Sequence, residues 1–169
     1  PALGADVEAF RRELLDEPRD RAKILADTAE MRERIAAAKP APGAWEPKIG
    51  PGRLQDIELL AQAAALIAGD PARRAPDQLA AGVRAGWLTE AEAETLCDGY
   101  RLMWQLQCAA RLLTGETLDV DAVGEGGRSF LLRQTGADSI AALAEDLAAR
   151  ADAAGAVIAS ALERRGPAA

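Results

Sequence analysis

A chain of 169 residues, 49% apolar but only 4% aromatic, suits one domain with a core of alanine and leucine. The formal net charge of −7 argues against a nucleic-acid backbone or an anionic membrane surface as the main partner, because both want a basic face. The absence of histidine removes Ser-His-Asp and Cys-His sites and the commonest metal ligand together, so acid–base chemistry would fall to carboxylates, lysine or tyrosine.

Alanine and leucine enter a helix at little cost, and the residues that favour strands are sparse. Residues 5–16 read as a short amphipathic helix with Val7, Phe10, Leu14 and Leu15 on one side. Pro18 fits the first turn of a second helix running to about residue 39, with Ile24, Thr28, Met31 and Ile35 at helical spacing. Residues 40–52 hold four prolines and three glycines around Trp45 and read as an irregular loop. A third helix follows over 53–68, with Leu54, Ile57, Leu60, Ala64 and Ile67 as its apolar stripe, stopped by Gly69-Asp70-Pro71. A shorter helix lies near 76–85 and ends at Gly86.

Thr89 and Glu92 form a capping-box pattern at the start of a helix that reaches about Leu113. Its stripe is Leu96, Tyr100, Met103, Leu106, Ala110 and Leu113, and Trp104 is read as core beside Tyr100 and Met103. A loop over 114–127, a helix over 127–134 and a last helix over 138–164, starting at Asp138 or Ser139, complete the chain. The expected fold is all-α, a bundle of six or seven helices with several long ones antiparallel, in a single domain over residues 1–169. The opening at Pro1 without a methionine suggests a piece of a longer protein, and residues 163–169 look like a natural frayed end.

Cys97 and Cys108 on one helix would stand about 16 Å apart at ~1.5 Å per residue, beyond the roughly 7 Å that a disulfide allows. They read as two buried or half-buried thiols of a reducing compartment, the cytoplasm. No signal peptide is visible and no apolar run reaches the length of a membrane span.

The most informative stretch is Lys48-Ile49-Gly50-Pro51-Gly52-Arg53-Leu54-Gln55-Asp56-Ile57-Glu58, a constrained loop running into a helix. Asp56 and Glu58 lie about 200° apart on that helix and cannot form a close pair on one face. Asp56 near a helix start, paired with Arg53, is the plain structural reading. A helix start after a glycine loop can also bind phosphate, with Lys48 helping and the acids opposing, so the segment reads best as a mixed polar contact surface. Asp119-Val120-Asp121 follows no Gly-Ser pair and has no strand to stand on. Gly124-Glu125-Gly126-Gly127-Arg128-Ser129 lacks the ending of a phosphate loop and reads as a loop into a helix. Arg73-Arg74 reads as a solvated pair.

The 48–58 stretch, with Gln62 beyond it, resembles the Lys-x-Gly-x-Gly-Gly-x-x-Asp-Ile-Glu-Phe-x-x-Gln signature in the helical domains of the glutamine synthetase adenylyltransferase family. The matching positions are Lys48, Gly50, Gly52, Asp56, Ile57, Glu58 and Gln62. Met31-Arg32, the segment from Tyr100 to Gln107 and the segment from Gly126 to Arg133 resemble the family too, so the similarity runs from about residue 20 to 163. Arg53 stands where the family has a second adjacent glycine, and Leu59 where it has phenylalanine.

The resemblance implies the helical domain that follows a nucleotidyltransferase domain, the C-terminal one, in an enzyme that moves AMP from ATP to a tyrosine of glutamine synthetase. A related uridylyltransferase would carry a similar domain, and a non-catalytic regulatory or protein-interaction module is the other alternative. The implied parent uses ATP and Mg2+, with the chemistry in the other domain, so no catalytic or metal-binding residue is expected in this chain and neither group is expected to bind it alone. Lys48, Gly50, Gly52, Asp56, Glu58 and Gln62 are the expected nucleotide or interdomain contacts. The implied partners are the adjacent nucleotidyltransferase domain, glutamine synthetase and a PII-type signalling protein, with no nucleic acid and no membrane.

Overall fold

The computed structural model describes residues 2–38 and 43–164; Pro1, the proline-rich start of the expected loop at 39–42 and the tail at 165–169 lie outside it. Among the described residues there are seven helices and no strand: α1 (Ala2–Asp16), α2 (Arg21–Ala38), α3 (Leu54–Ala68), α4 (Ala75–Arg84), α5 (Glu90–Leu113), α6 (Gly124–Thr135) and α7 (Ile140–Glu163). The all-α bundle expected from composition is what the chain forms.

Helix ends follow local chemistry. Thr89 Oγ1 accepts the Glu92 N–H at 3.2 Å and the Glu92 carboxylate accepts the Thr89 N–H at 2.9 Å, which completes the capping box at the start of α5. At α7 the cap is Ser139, whose hydroxyl accepts the Ala142 N–H at 3.1 Å. Three boundaries differ from expectation. α1 begins three residues earlier, at Ala2. Pro18 lies in the connector rather than in α2, and Asp20 takes the capping place by accepting the Ala22 N–H at 2.8 Å. α6 begins at Gly124, because Gly124-Glu125-Gly126 is already helical once Leu118 and Val120 are buried and Arg128 Nε donates to the Val120 carbonyl at 2.9 Å.

The core joins α3, α5 and α7. Ile57, Leu60, Leu96, Met103, Leu106, Leu143, Leu147 and Ile158 are fully buried in it. α5 and α7 run antiparallel: Glu92 near the start of α5 meets Arg164 at the end of α7, while Gly99 further along lies against Arg150 and Ala154. Alanine at 61, 64 and 65 lets α4 approach α3 closely, and a side chain added at Gly82 would come within 2.9 Å of the Ala64 methyl. Trp87 closes that end, buried, with its indole N–H donating to the Ala161 carbonyl at 3.1 Å. No helix among the described residues is long and apolar enough to cross a membrane.

The same corner carries a pH-sensitive clasp. Arg164 bonds Glu92 through both guanidinium nitrogens and donates to the Trp87 carbonyl at 3.1 Å. The Arg164 guanidinium, with the Thr89 N–H and hydroxyl, holds the Glu92 carboxyl down at about 2, against an ordinary value of 4.5. A carboxyl depressed on folding stabilises fully above its unfolded pKa and loses that contribution as pH falls through the folded one. The expected result is that the gap in urea midpoint between the native chain and Arg164→Ala is constant above about pH 5 and closes towards pH 2. A gap that stays constant down to pH 2 would assign the clasp no share of the acid sensitivity.

Two exposures depart from the amphipathic reading. Trp104 is 50% exposed rather than core, stacked parallel on the half-buried Tyr100 with ring centroids 6.3 Å apart. Cys108 is exposed, whereas Cys97 is half-buried as expected. Both Trp104 and Cys108 lie on a side of α5 that is exposed among the described residues.

A locked loop ahead of helix α3 as candidate functional site

The loop before α3 is fastened by a set of backbone hydrogen bonds. The Lys48 and Ile49 N–H groups both donate to the Glu46 carboxylate, at 2.8 and 3.3 Å. The first free N–H groups of α3 turn back onto the loop: Leu54 donates to the Pro47 carbonyl at 3.1 Å and Gln55 to the Lys48 carbonyl at 3.0 Å. The Arg53 N–H reaches the Gly50 carbonyl at 3.2 Å. Helix starts ordinarily leave such donors open to an anion. Here the chain's own carbonyls use them, so this start is not a phosphate cradle.

Gly52 explains why the loop needs glycine. Its φ is +66°, and a Cβ there would fall 1.9 Å from the Ala151 carbonyl oxygen and 2.6 Å from the Gly155 nitrogen of α7. The loop therefore rests backbone to backbone on α7. Gly50, at φ +129°, makes the turn before it. Arg53, where the family pattern has glycine, sits at φ −92° and ψ 179°, extended backbone open to any residue. That is why the departure is tolerated.

Asp56 is 9% exposed and does not pair with Arg53. Arg32 of α2 grips it instead through Nε to Oδ1 at 2.5 Å and Nη2 to Oδ2 at 2.9 Å. The same carboxylate accepts the Gly52 N–H at 2.8 Å. One residue thus ties α2, the loop and α3 together. Nothing in the spacing of a single sequence links Arg32 to Asp56; the only hint was that Met31-Arg32 matches the family pattern. Arg53 faces Glu46 and Asp152, and burial draws its guanidinium below the ordinary value against the pull of those two acids.

The remaining site residues point outward. The Lys48 side chain and Gln62 are exposed, and Glu58 is half-buried. Glu58 faces Tyr100 of α5, whose phenol is pushed up first by burial and then by this carboxylate. Asp56 and Glu58 therefore serve opposite sides of α3, as the 200° between them requires. Leu59, in place of the family phenylalanine, lines a groove between α2 and α3.

The other sequence candidates have local partners. The Asp119 carboxylate accepts the Asp121 N–H at 2.9 Å, and Asp121 pairs with Arg128 at 3.0 Å. Gly124 through Ser129 is the first half of α6. Arg73 pairs with Glu8, while Arg74 is exposed. Burial pushes the Cys97 thiol up, away from a reactive thiolate. Among the described residues no three carboxylate or thiol groups converge where a metal ion could sit. The arrangement offers hydrogen bonds and charge from a fixed platform.

Comparison with known proteins agrees with the signature. The model of the GlnD PII-uridylyltransferase family matches residues 22–159. The chain is 32% identical over 151 residues to the bifunctional glutamine synthetase adenylyltransferase/adenylyl-removing enzyme of Rhodopseudomonas palustris strain TIE-1, covering 85% of this chain and 15% of that protein. The enzyme of the same name from Brucella suis biovar 1 is 30% identical over 142 residues, covering 82% and 14%. That from Rhizobium meliloti is 47% identical over 72 residues, covering 43% and 7%. This chain spans about a seventh of the length of the first two relatives. No solved structure matches it significantly. The chain therefore belongs to the glutamine synthetase adenylyltransferase family, on a stretch that the PII-uridylyltransferase model also describes.

Proposed function

We propose that this chain is the helical domain that supports a neighbouring nucleotidyltransferase domain while the latter moves AMP from ATP to a tyrosine of glutamine synthetase. ATP and Mg2+ would be held by that neighbour, and the work would take place in the cytoplasm. Glutamine synthetase and a PII-type signalling protein are the partners in this reading. The observation that carries it is the pairing of a locked backbone with an exposed lysine. Both the N–H and the carbonyl of Lys48 are bonded within the loop, yet its side chain is exposed. A cation held at low conformational cost suits contact with a phosphate or an acidic residue of the next domain. Glu58 and Gln62, one and two turns into α3, extend the polar face, while Gly50, Gly52 and Asp56 hold its shape.

The test is label transfer from ATP to glutamine synthetase by the parent enzyme carrying Lys48→Ala. Loss of one charge-assisted contact, about 1.5–3 kcal/mol, corresponds to a fall of roughly tenfold or more. The thermal midpoint should stay within about 2 °C, because exposed substitutions without partners cost little. Unchanged transfer would remove Lys48 from the reading. The 169-residue chain alone should transfer nothing, whereas a protein extended by one nucleotidyltransferase domain should. Failure of the extended protein would turn the assignment to a regulatory module.

The description of the matching family model favours a second reading, in which the same platform serves a uridylyltransferase acting on a PII-type protein. Assaying the extended protein with UTP and a PII-type protein alongside ATP and glutamine synthetase separates the two.

A further inference from the structure

α1 carries an apolar stripe that no other described residue covers. Leu3, Val7, Phe10 and Leu14 are 76, 54, 60 and 39% exposed. The helix touches the body through the Glu8–Arg73 ion pair, the Arg11 bond to the Ala72 carbonyl at 3.3 Å and the approach of Leu15 to Gly69. An apolar face of this length left in water is unfavourable and marks a surface that finds a partner. Directly beside the α1–α2 connector lies a groove of about 510 Å3 between α2 and α3, floored by Ile24, Thr28, Met31, Leu59 and Leu66. Its edge at Arg19 and Asp20 is the connector itself.

The two surfaces are mirror images about Arg19. Leu14 and Ile24 stand five residues to either side, Phe10 and Thr28 nine, Val7 and Met31 twelve, and Leu3 and Ile35 sixteen. In an antiparallel pair of helices that symmetry brings all four pairs level, each layer matching one seam position of α1 with the complementary one of α2. The connector, residues 17–20, has the length that joins antiparallel neighbours, and Pro18 breaks the helix there. We propose that the α2–α3 groove is a second seat for α1. The helix swings about residues 17–20 and closes on α2 as an antiparallel hairpin, exchanging its contacts with Arg73 and Ala72 for four layers, three of them apolar and one of Phe10 against Thr28. The seat on the α3–α4 connector and the seat on α2 exclude one another, so the groove is open only while α1 is away from it. The inference is independent of the reaction assigned to the parent enzyme.

Paired cysteines read out the two seats in a chain carrying Cys97→Ser and Cys108→Ser. Val7→Cys with Met31→Cys reports the hairpin, and Glu8→Cys with Arg73→Cys reports the seat on the α3–α4 connector. Val7 and Met31 are surface positions, so the fold tolerates the change. The expected result is that oxidation converts most of the Val7→Cys/Met31→Cys protein to a faster-migrating monomer with an internal disulfide. Adding Phe10→Asp should lower that yield several-fold. Cross-linking of this pair only into dimers would overturn closure within one chain in favour of exchange of α1 between copies. No cross-link by this pair, whether or not the Glu8→Cys/Arg73→Cys pair closes, would overturn the second seat.

Discussion

Replacing Gly52 with alanine is expected to destabilise the domain by about 2–5 kcal/mol, the sum of ~1–2 for a left-handed non-glycine residue and ~1–3 for overpacking. In a chain of this length that lowers the thermal midpoint by roughly 10 °C. Both costs have a visible source: φ is +66°, and the added carbon would sit 1.9 Å from the Ala151 carbonyl oxygen. Gly86 separates them. Its φ is +67°, but the space around it is open, so Gly86→Ala should lose only the backbone part, about 1 kcal/mol. Equal losses for the two variants in urea unfolding would mean that the loop does not rest on α7. The activity of the parent enzyme should fall with the Gly52 variant even at temperatures where it is folded, because Lys48 rides on that loop.

Arg32→Ala is expected to cost about 1.5–3 kcal/mol, since it removes two charge-assisted bonds of a part-buried pair and leaves the Asp56 carboxylate uncompensated. Asp56 would keep only the Gly52 N–H as a donor. Removing both charges, as Arg32→Ala with Asp56→Ala, should cost clearly less than the two single losses added together, because no orphan charge remains. The double-mutant cycle in urea measures this directly. Additive losses would mean that the two residues stabilise the domain separately and that α2 is not tied to α3 through them.

The first variant changes a residue of the signature, and the second acts on one through Asp56. Within the signature Gly52 and Asp56 hold the loop, whereas Lys48 on the loop and Gln62 on α3 are exposed. A loss of activity at Gly52 or Asp56 is expected to travel with stability, and a loss at Lys48 is not.

Much of the fold was legible in the chain. Alanine and leucine at helical spacing specify helices because the information is local: each turn needs only neighbours three and four residues away. The capping box of Thr89 and Glu92, and glycine after α3 and α6, are equally local and stand where the pattern puts them. The apolar stripes of α3, α5 and α7 include about half of the buried core for the same reason.

What periodicity cannot supply is whether a face is covered. α1 and α7 both carry apolar stripes, but Leu143, Leu147 and Ile158 are buried while Leu3, Val7 and Phe10 stand in solvent. Trp104 and Cys108 were misplaced by the same rule, because coverage of α5 depends on where its neighbours stop. The 48–58 stretch shows the limit most plainly. As a string, Gly52 and Arg53 are adjacent members of one motif, and Asp56 has Arg53 at helical spacing. Only the approach of α7 makes glycine obligatory at one position and arginine acceptable at the next, and only the seating of α2 brings Arg32, 24 residues away, onto Asp56. Those contacts are set by the packing of helices remote in sequence, and no local pattern encodes a distance between them.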